Sequence, residues 1–278
     1  MILWIAKPLA KYLLILSEAL ANWTHFYLIR IEFLGFRYHG WQKQEKYRSV
    51  HGMIDKTCDF IFQHANYRTL GCGRTDAKVS ADDYAFELFS MEELETEELV
   101  RDLNANLPSD IRAKSAQAVS ADFNIIQDVS TKEYHYYFSS GEKSHPYIAP
   151  FIRDFGEELD IAKMQAAVKL FEGRHNFKRY VSKPSTDTNF EREILAANIE
   201  PNRKFTGDFA PKAAHVFKVK AKGFMRYQVR LMMGALVNVG RGEWSLEDLA
   251  QTLQDHEGMQ IRNIAPSSGL VLHKVNYV

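Results

Sequence analysis

Segments that alternate apolar and polar residues recur along the chain and restrict its fold more than any other feature. Such a period of two is typical of β-strands. Helical apolar stripes lie between these segments, near Val50 and Thr96 in the first half and near Asp160 and Met225 in the second. The pattern predicts two α+β units, each with strands interleaved with two helices. The strand-like segments are Phe26 to Leu34, Val79 to Phe89, Thr131 to Ser139, Glu193 to Ile199 and His215 to Ala221.

Capping residues mark the starts of several helices. Ser49 precedes the apolar stripe that contains Cys58, and Asp160 precedes the first helical stripe of the second half. Ser245 and Asp248, three residues apart, form a capping-box pattern before the last helix. Because residues on an apolar stripe face the core, we expect Cys58 to be a buried packing residue.

A length of 278 residues suits two domains of ordinary size. We place these domains at residues 25–128 and 129–278 and treat residues 1–24 as an N-terminal extension of unknown role. The extension is largely apolar, but Lys7, Lys11 and Glu18 interrupt it, which argues against a transmembrane span. It also lacks the clear charged start and cleavage site of a secretory signal.

The charges are unevenly distributed, although the formal net charge is zero. The segment from Lys212 to Gly242 contains seven basic and no acidic residues, whereas acids dominate the segment from Asp82 to Asp102. This arrangement predicts a molecule with one basic face that can bind phosphates. The alternative is that both segments are ordinary solvated charge runs.

The two cysteines, Cys58 and Cys72, do not have the spacing of a disulfide framework or a zinc site. This cysteine usage indicates a reducing, intracellular setting. The sequence also contains no local cluster of metal ligands and no phosphate-cradling glycine loop. It therefore predicts no metal site and argues against a metalloenzyme or a nucleotide-binding protein.

A glycine-punctuated polar loop, Gly71 to Ala81, lies between two apolar runs and is the first candidate functional element. In extended chain, Arg74 and Asp76 project to the same side, where the cation can bind a phosphate while the acid faces a substrate. The alternative is an ordinary Asx-type turn with a surface ion pair, because Asp and Gly readily occupy turns.

The second candidate element is the segment Gly223 to Gly234. Its apolar residues form a helical stripe that begins at Gln228 and leaves Arg226 and Arg230 together on an adjoining face, four residues apart. Two cations in this arrangement repel each other unless an anion lies between them. The alternative is that Arg230 simply faces solvent.

Several motifs together resemble the TruA family of tRNA pseudouridine synthases. Gly73 to Ala81, with the sequence GRTDAKVSA, resembles the family signature GRTDAGVHA or GRTDxGVSA. The similarity extends from about His25 to the C-terminus. Further matching segments are Gly40-Trp41-Gln42, Asn104 to Ile111, the strand around Tyr134, Gly173 to Phe177, and Ala265 to Leu272.

The resemblance implies a pseudouridine synthase fold, in which two ferredoxin-like or RRM-like halves form one continuous, mostly antiparallel sheet with a central RNA-binding cleft. It implies isomerisation of uridine to pseudouridine at tRNA positions 38 to 40, without a cofactor, by a cytoplasmic homodimer that contacts no membrane. The family's catalytic aspartate and its arginine partner correspond to Asp76 and Arg230. The substrate-binding residues that we expect are Arg74, Tyr134, Lys222, Arg226 and Leu270.

The sequence departs from the family pattern at several positions. Lys78 replaces a usual glycine, which matters if the loop needs a positive φ there. The family's basic FHAR-type segment appears as Phe123 to Ile126, and Arg192 lies in an altered Arg-Thr-Ile segment. Two rival functions therefore stay open, namely a synthase that modifies another RNA site and a non-catalytic RNA-binding protein that retains the cleft. The intact Asp76 argues against the latter, since a binding module does not need the acid.

Overall fold

A computed structural model of the chain describes residues 23–63, 66–186, 188–254 and 261–278. Residues 1–22 of the predicted N-terminal extension lie outside these ranges. Within them, no helix combines the length and the apolar character needed to cross a bilayer.

The described strands form one sheet of ten strands that runs through both halves of the chain. Its central order is β4-β1-β3-β10-β5-β9-β8-β7, with β2 paired to β3 and β6 paired to β5. The strands are β1 (His25–Phe33), β2 (Tyr67–Gly71), β3 (Ser80–Ser90), β4 (Ile111–Ala118), β5 (Val129–Ser139), β6 (Arg153–Asp154), β7 (Gly173–Asn176), β8 (Glu191–Pro201), β9 (Ala214–Ala221) and β10 (Leu270–Tyr277).

The last strand, β10, joins the two halves. It pairs in parallel with β3, where Val271 lies opposite Ser80, and antiparallel with β5, where Leu272 lies opposite Tyr134. Pairs β3–β10 and β5–β6 are parallel, and the other strand pairs are antiparallel. The predicted α+β class with a continuous, mostly antiparallel sheet is confirmed.

The described helices begin close to the predicted capping residues. Ser49 caps α1 by accepting a hydrogen bond from Gly52 N, and Asp160 caps α3 by accepting one from Lys163 N. Ser245 and Asp248 form the reciprocal capping box before α5. The helices are α1 (Val50–Phe62), α2 (Thr96–Asn106), α3 (Ile161–Val168), α4 (Gln228–Gly240) and α5 (Leu246–Gln254).

The helices pack on the sheet and bury one large apolar cluster in each half. Ile29, Ile54 and Cys58 belong to the first cluster, which confirms that Cys58 is a core residue. Phe138 and Leu236 belong to the second. Each fully buried side chain of this size stabilises the fold by roughly 1.5–3 kcal/mol. The two clusters therefore hold the halves rigid on either side of their junction.

The predicted domain division at residue 128 stays a proposal. Strand β10 lies within the second range of the sequence, but its side chains pack against both halves. Its residues Leu272 and Val275 are part of the first apolar cluster, whereas Leu270 is part of the second. The partly buried side chain of Tyr134 also packs against both clusters. The junction between the halves is thus a packed seam.

Some elements differ from the sequence prediction. Strands β2, β4, β6 and β7 were not predicted. Strand β4 lies at the edge of the sheet and its inward-facing residues include only Ile111 and Ala113, which makes a weak alternating signal. Helix α3 ends at Val168 and continues as a 3₁₀ turn over Lys169–Phe171, rather than as one regular helix.

Candidate active site

A cavity of about 750 Å³ lies at the junction of the two halves. The first half contributes two loops, one before α1 and one between β2 and β3. The second half contributes residues from β5, from the segment before α4 and from the start of β10. The lining residues are His39, Gln42, Gln44, Tyr47, Arg74, Thr75, Asp76, Ala77, Val79, Tyr134, Phe224, Met225, Arg226, Tyr227, Gln228, Val229, Arg230 and Leu270.

Buried hydrogen bonds hold the loop between β2 and β3 in place. The hydroxyl of Tyr84 donates to the carbonyl oxygen of Gly73 at 2.5 Å, and Lys132 Nζ on β5 donates to the carbonyl oxygen of Cys72 at 2.8 Å. Within the loop, Val79 N donates to the carbonyl oxygen of Asp76 at 3.2 Å. Because these contacts come from strands of both halves, they fix the loop relative to the whole sheet.

The aromatic turn before α1 supports the same loop from behind. Gly40 has φ +86°, and a Cβ atom there would lie 2.3 Å from the carbonyl oxygen of Thr75. Only glycine allows this close approach. Tyr38 and Trp41 in the turn are buried, whereas His39 lines the cavity. Some residues of this turn therefore close the end of the sheet, and another faces the cavity.

Lys78, which replaces the usual family glycine, has φ +67°. Its amide donates to the carbonyl oxygen of Tyr38 at 2.9 Å. The position thus requires the left-handed conformation that the glycine would favour, and the lysine adopts it at a conformational cost. The substitution leaves the loop's hydrogen bonds to its neighbours intact.

Asp76 and Arg230 lie together at the cavity wall. Arg230 Nη1 donates to Asp76 Oδ2 at 3.1 Å, and Arg230 Nε donates to the carbonyl oxygen of Ala265 at 2.7 Å. The side chains of Asp76 and Arg230 are 28% and 13% exposed. The alternative of a solvent-facing arginine is therefore wrong, and the acid stays accessible from the cavity.

Burial and the neighbouring arginines act in opposite directions on the pKa of Asp76. Burial raises the pKa of Asp76 above its usual value, because a low-dielectric environment disfavours a charge. The hydrogen bond and charge of Arg230, and the charge of Arg226, act to lower the same pKa but do not outweigh burial. Asp76 is thus a desolvated carboxylate that two cations help to keep ionised.

The arrangement of Arg226 and Arg230 corrects the prediction from helical spacing. Tyr227 has φ +64°, so α4 begins only at Gln228 and Arg226 precedes it. The guanidinium carbons of Arg226 and Arg230 lie 5.2 Å and 4.6 Å from the centroid of the Tyr227 ring. The two guanidinium groups therefore contact the same aromatic ring and do not share one face of a helix.

Tyr134 and Leu270 form the apolar part of the cavity wall. The ring of Tyr134 packs edge-on against Phe224, with a centroid distance of 5.3 Å. Burial raises the pKa of the Tyr134 phenol well above its usual value, so its hydroxyl stays neutral. Leu270, at the start of β10, is 5% exposed. The wall therefore provides an apolar surface beside Asp76.

Most of the expected site residues line this one cavity, namely Asp76, Arg230, Arg74, Tyr134, Arg226 and Leu270. Lys222 does not line it, although the sequence placed this lysine in the same basic segment. On β9, Lys218 and Lys220 lie opposite His135 and Glu133 and so share their face of the sheet. Because Tyr134 occupies the other face, the prediction that the basic segment forms one face was wrong.

Three aromatic residues of the cavity, Tyr47, Phe224 and Tyr227, were not among the site residues predicted from the sequence. Tyr227 contacts both arginines, and Tyr47 packs against His39 at the cavity, with ring centroids 4.5 Å apart and an interplanar angle of 33°. Tyr47 is 52% exposed. The position of Tyr227 between two arginines was a usable signal, whereas Tyr47 follows an irregular polar segment that carries no periodic signal.

Comparison with known proteins identifies relatives over nearly the whole chain. The profile of a family described as tRNA pseudouridine synthase matches residues 167–278. The tRNA pseudouridine synthase A of Thermosipho africanus is 32% identical over 251 residues, which cover 90% of this chain and 98% of that protein. The protein of the same name from Aquifex aeolicus is 30% identical over 250 residues, with coverages of 90% and 98%.

Proposed function

This chain belongs to the tRNA pseudouridine synthase A family, and on that basis we propose that it isomerises uridine to pseudouridine in tRNA, with Asp76 as its reactive carboxylate. The reaction breaks the bond between N1 of uracil and C1′ of ribose and forms a bond between C5 and C1′. C5 loses its proton and N1 gains one, so no atom or electron is added overall. A single positioned carboxylate suits such a reaction.

The observation that carries this proposal is the contact between Asp76 and Arg230 inside a cavity large enough for a nucleoside. Arg230 Nε is fixed by the Ala265 carbonyl, so its Nη1 can hold Asp76 in one orientation. A positioned carboxylate can act as a nucleophile toward the sugar or the base, or as a base on the sugar. Both chemistries require the ionised form, which Arg230 and Arg226 favour.

The cavity walls suit a uridine that has left the RNA stack. A base removed from its neighbours loses stacking energy and is stabilised by an aromatic surface in the protein. We propose that Tyr134 provides this surface and that Leu270 packs against the uracil ring. Arg74 and Arg226 are exposed at the same cavity, where they can contact the phosphates on either side of the uridine. Lys222, outside the cavity, would then contact the RNA farther away.

Three finer points rest on the family resemblance and belong to the same proposal. The target is a uridine at positions 38 to 40 of the anticodon arm. The protein acts as a homodimer that holds one tRNA across both subunits, and it works in the cytoplasm without a cofactor. We also propose the two-domain division at residue 128, with the cavity between the domains.

Base-resolution pseudouridine mapping of total RNA, with and without this protein, tests the proposal. The expected result is pseudouridine at positions 38 to 40 of tRNA that depends on the protein and is lost in the Asp76→Asn variant. Protein-dependent pseudouridine elsewhere would keep the reaction and overturn the target position. RNA binding with no change in any pseudouridine would overturn the enzymatic function and favour a binding protein.

A further inference from the structure

A second group of polar side chains lies on the sheet face opposite the active-site cavity. Glu133, His135 and Tyr137 are alternate residues of β5, so they share one face while Tyr134 points to the other. The neighbouring strand β10 has a register shift between Leu272 and Lys274. Before this shift Val271 lies opposite His135, so His273, two residues further along β10, points to the same face and lies beside His135.

The donor atoms of Glu133, His135 and His273 lie within 4.8 Å of one another. His135 Nε2 is 2.7 Å from Glu133 Oε1. The two imidazole rings are stacked, with centroids 3.8 Å apart and an interplanar angle of 14°. Two histidines and a carboxylate are therefore brought together from two strands without any local motif in the sequence.

The other ring nitrogen of each histidine is already hydrogen-bonded. His273 Nδ1 lies 3.0 Å from Asp82 Oδ2, and His135 Nδ1 lies 3.3 Å from the hydroxyl oxygen of Tyr137. Histidine ligands of metals characteristically donate the second ring N–H to a carboxylate or another acceptor in this way. His135 Nε2 thus lies beside Glu133, and Nε2 is the ring nitrogen of His273 that does not contact Asp82.

We propose that Glu133, His135 and His273 form a binding site for a divalent transition-metal ion of the zinc class, with Asp82 as the group that orients His273. Two imidazoles and one carboxylate are a ligand set suited to Zn²⁺ or Co²⁺, whereas Mg²⁺ and Ca²⁺ prefer oxygen ligands alone. The two imidazole rings are nearly parallel, so ligand distances of about 2.0–2.2 Å require the rings to rotate until both ring planes meet at the ion. Water would complete the coordination.

The surrounding charges are compatible with a cation. Lys218 lies opposite His135 on β9, but its ammonium group is paired with Glu200 Oε2 at 2.6 Å. Lys204 is paired with Asp82. Lys218 and Lys204 therefore have their own carboxylate partners, and Glu133, which lies opposite Lys220 on β9, remains to offset the charge of the ion.

The position of the site indicates what the ion does. His135 and His273 lie on β5 and β10, the two strands that join the halves of the sheet, directly behind Tyr134 and Leu272. A bound ion would crosslink the seam between the halves and would raise stability in proportion to its affinity. Because Asp76 lies on the other face, the ion would not take part in the reaction. The sequence predicted no metal site because Glu133 and His273 are about 140 positions apart in the chain and meet only in the fold.

Metal titration of the chelator-treated full chain tests the site. Calorimetry with Zn²⁺ should show one ion per chain and a higher melting temperature, and Co²⁺ should develop visible absorption bands of a low-symmetry site. His273→Gln should abolish the Co²⁺ bands and the thermal shift. Asp82→Asn keeps all three ligands and should weaken Zn²⁺ binding by about 10–100-fold. His25→Gln, which changes a histidine outside the cluster, should bind as the wild type does.

Two results would overturn the site. One is the failure of chelator-treated wild type to bind one Zn²⁺ per chain, and the other is equal Zn²⁺ affinity in wild type and His273→Gln. Circular dichroism and pseudouridine formation verify that each variant is folded. If His273→Gln does not fold, Asp82→Asn decides the matter, because unchanged affinity in that variant contradicts the proposed role of Asp82 behind His273.

Discussion

Arg230 Nη1 lies 3.1 Å from Asp76 Oδ2, although 154 positions separate the two residues in the sequence. The parallel pairing of β3 with β10 and the packing of α4 behind β5 bring them together. Asp76 is carried by a loop of the first half and Arg230 by a helix of the second. The contact therefore depends on the alignment of the two halves, and it also favours the charged form of Asp76.

Asp76→Asn should remove turnover while the fold and tRNA binding persist. The amide has nearly the same shape as the carboxylate and can still accept a hydrogen bond from Arg230, but it can serve neither as a nucleophile nor as a base. We expect pseudouridine formation to fall by roughly a thousandfold or more. Single-turnover assays and tRNA-binding titrations measure the two effects separately, with wild-type protein as the reference. Near-normal product from this variant would refute the assignment.

Arg230→Lys should reduce the rate much more than the affinity for tRNA. The guanidinium binds Ala265 O through Nε and Asp76 through Nη1 at the same time, whereas one ammonium group cannot reproduce this fork. A carboxylate displaced by about 1 Å loses on the order of 100-fold in rate. Rates under single-turnover conditions and dissociation constants should be compared. Weaker binding with an unchanged rate would make Arg230 a phosphate contact instead.

The pH dependence of the reaction should show that Arg226, in addition to Arg230, lowers the pKa of Asp76. Burial raises the pKa of Asp76, and Arg230 and Arg226 oppose that rise. Activity should therefore decline on the acid side at a pH above that expected for an exposed aspartate, as Asp76 becomes protonated. Arg226→Gln removes one opposing charge and should move this decline to a higher pH.

Lys222→Gln is the matched control for Arg226→Gln, because it removes a positive charge from the same basic segment but outside the cavity. Its acid-side decline should coincide with that of the wild type. The measurement is the pH profile of the single-turnover rate with saturating protein. Equal shifts in both variants would mean that Arg226 acts only through the general charge of the RNA-binding surface.

Local features of this fold could be predicted from the sequence, but contacts between distant segments could not. Alternation and capping residues located β1, β5 and the starts of α1, α3 and α5, because these signals depend on neighbouring residues. The partnership of Asp76 with Arg230 came from family resemblance rather than from periodicity. The placement of Arg226 was wrong because the left-handed conformation of Tyr227 delays the start of α4.

The cluster on the opposite face was invisible in the sequence for a related reason. His135 and Glu133 are two positions apart, which is ordinary for a strand. His273 joins them because β10 pairs with β5, where Val271, two positions before His273 and on the same face, lies opposite His135. The pairing of strands so far apart in the chain leaves little signal in a single sequence.

Lys78→Gly should stabilise the protein by about 0.5–1 kcal/mol. The lysine has φ +67°, a conformation that costs an L-residue roughly 1–2 kcal/mol, and part of the gain is offset by the greater freedom of glycine in the unfolded chain. Urea unfolding at constant pH measures the change. Ala77→Gly is the matched control, because Ala77 is not among the residues with positive φ. The stability of this variant should equal that of the wild type or be lower. Equal effects of both substitutions would contradict this explanation.

Glu87 should make the stability of the protein depend on pH. This residue on β3 is 2% exposed, its Oε1 has no hydrogen-bond partner within the described residues, and burial raises its pKa to about 7. Because the folded-state pKa exceeds the unfolded value of 4.5, protonated Glu87 favours the folded state. That contribution is fully present below pH 4.5 and is lost as the pH rises through 7. Its total is on the order of 3 kcal/mol.

Glu87→Gln should remove this pH dependence, because glutamine stays neutral at every pH. We expect the variant to gain stability relative to wild type as the pH rises from 4.5 to 8, by about 3 kcal/mol in total. Urea unfolding at a series of pH values gives the difference curve directly. Glu97→Gln, on the exposed side of α2, corrects for the loss of one surface charge. If the curves of wild type and Glu87→Gln run parallel, Glu87 is already ionised in the folded protein and its surroundings must supply a compensating charge or water.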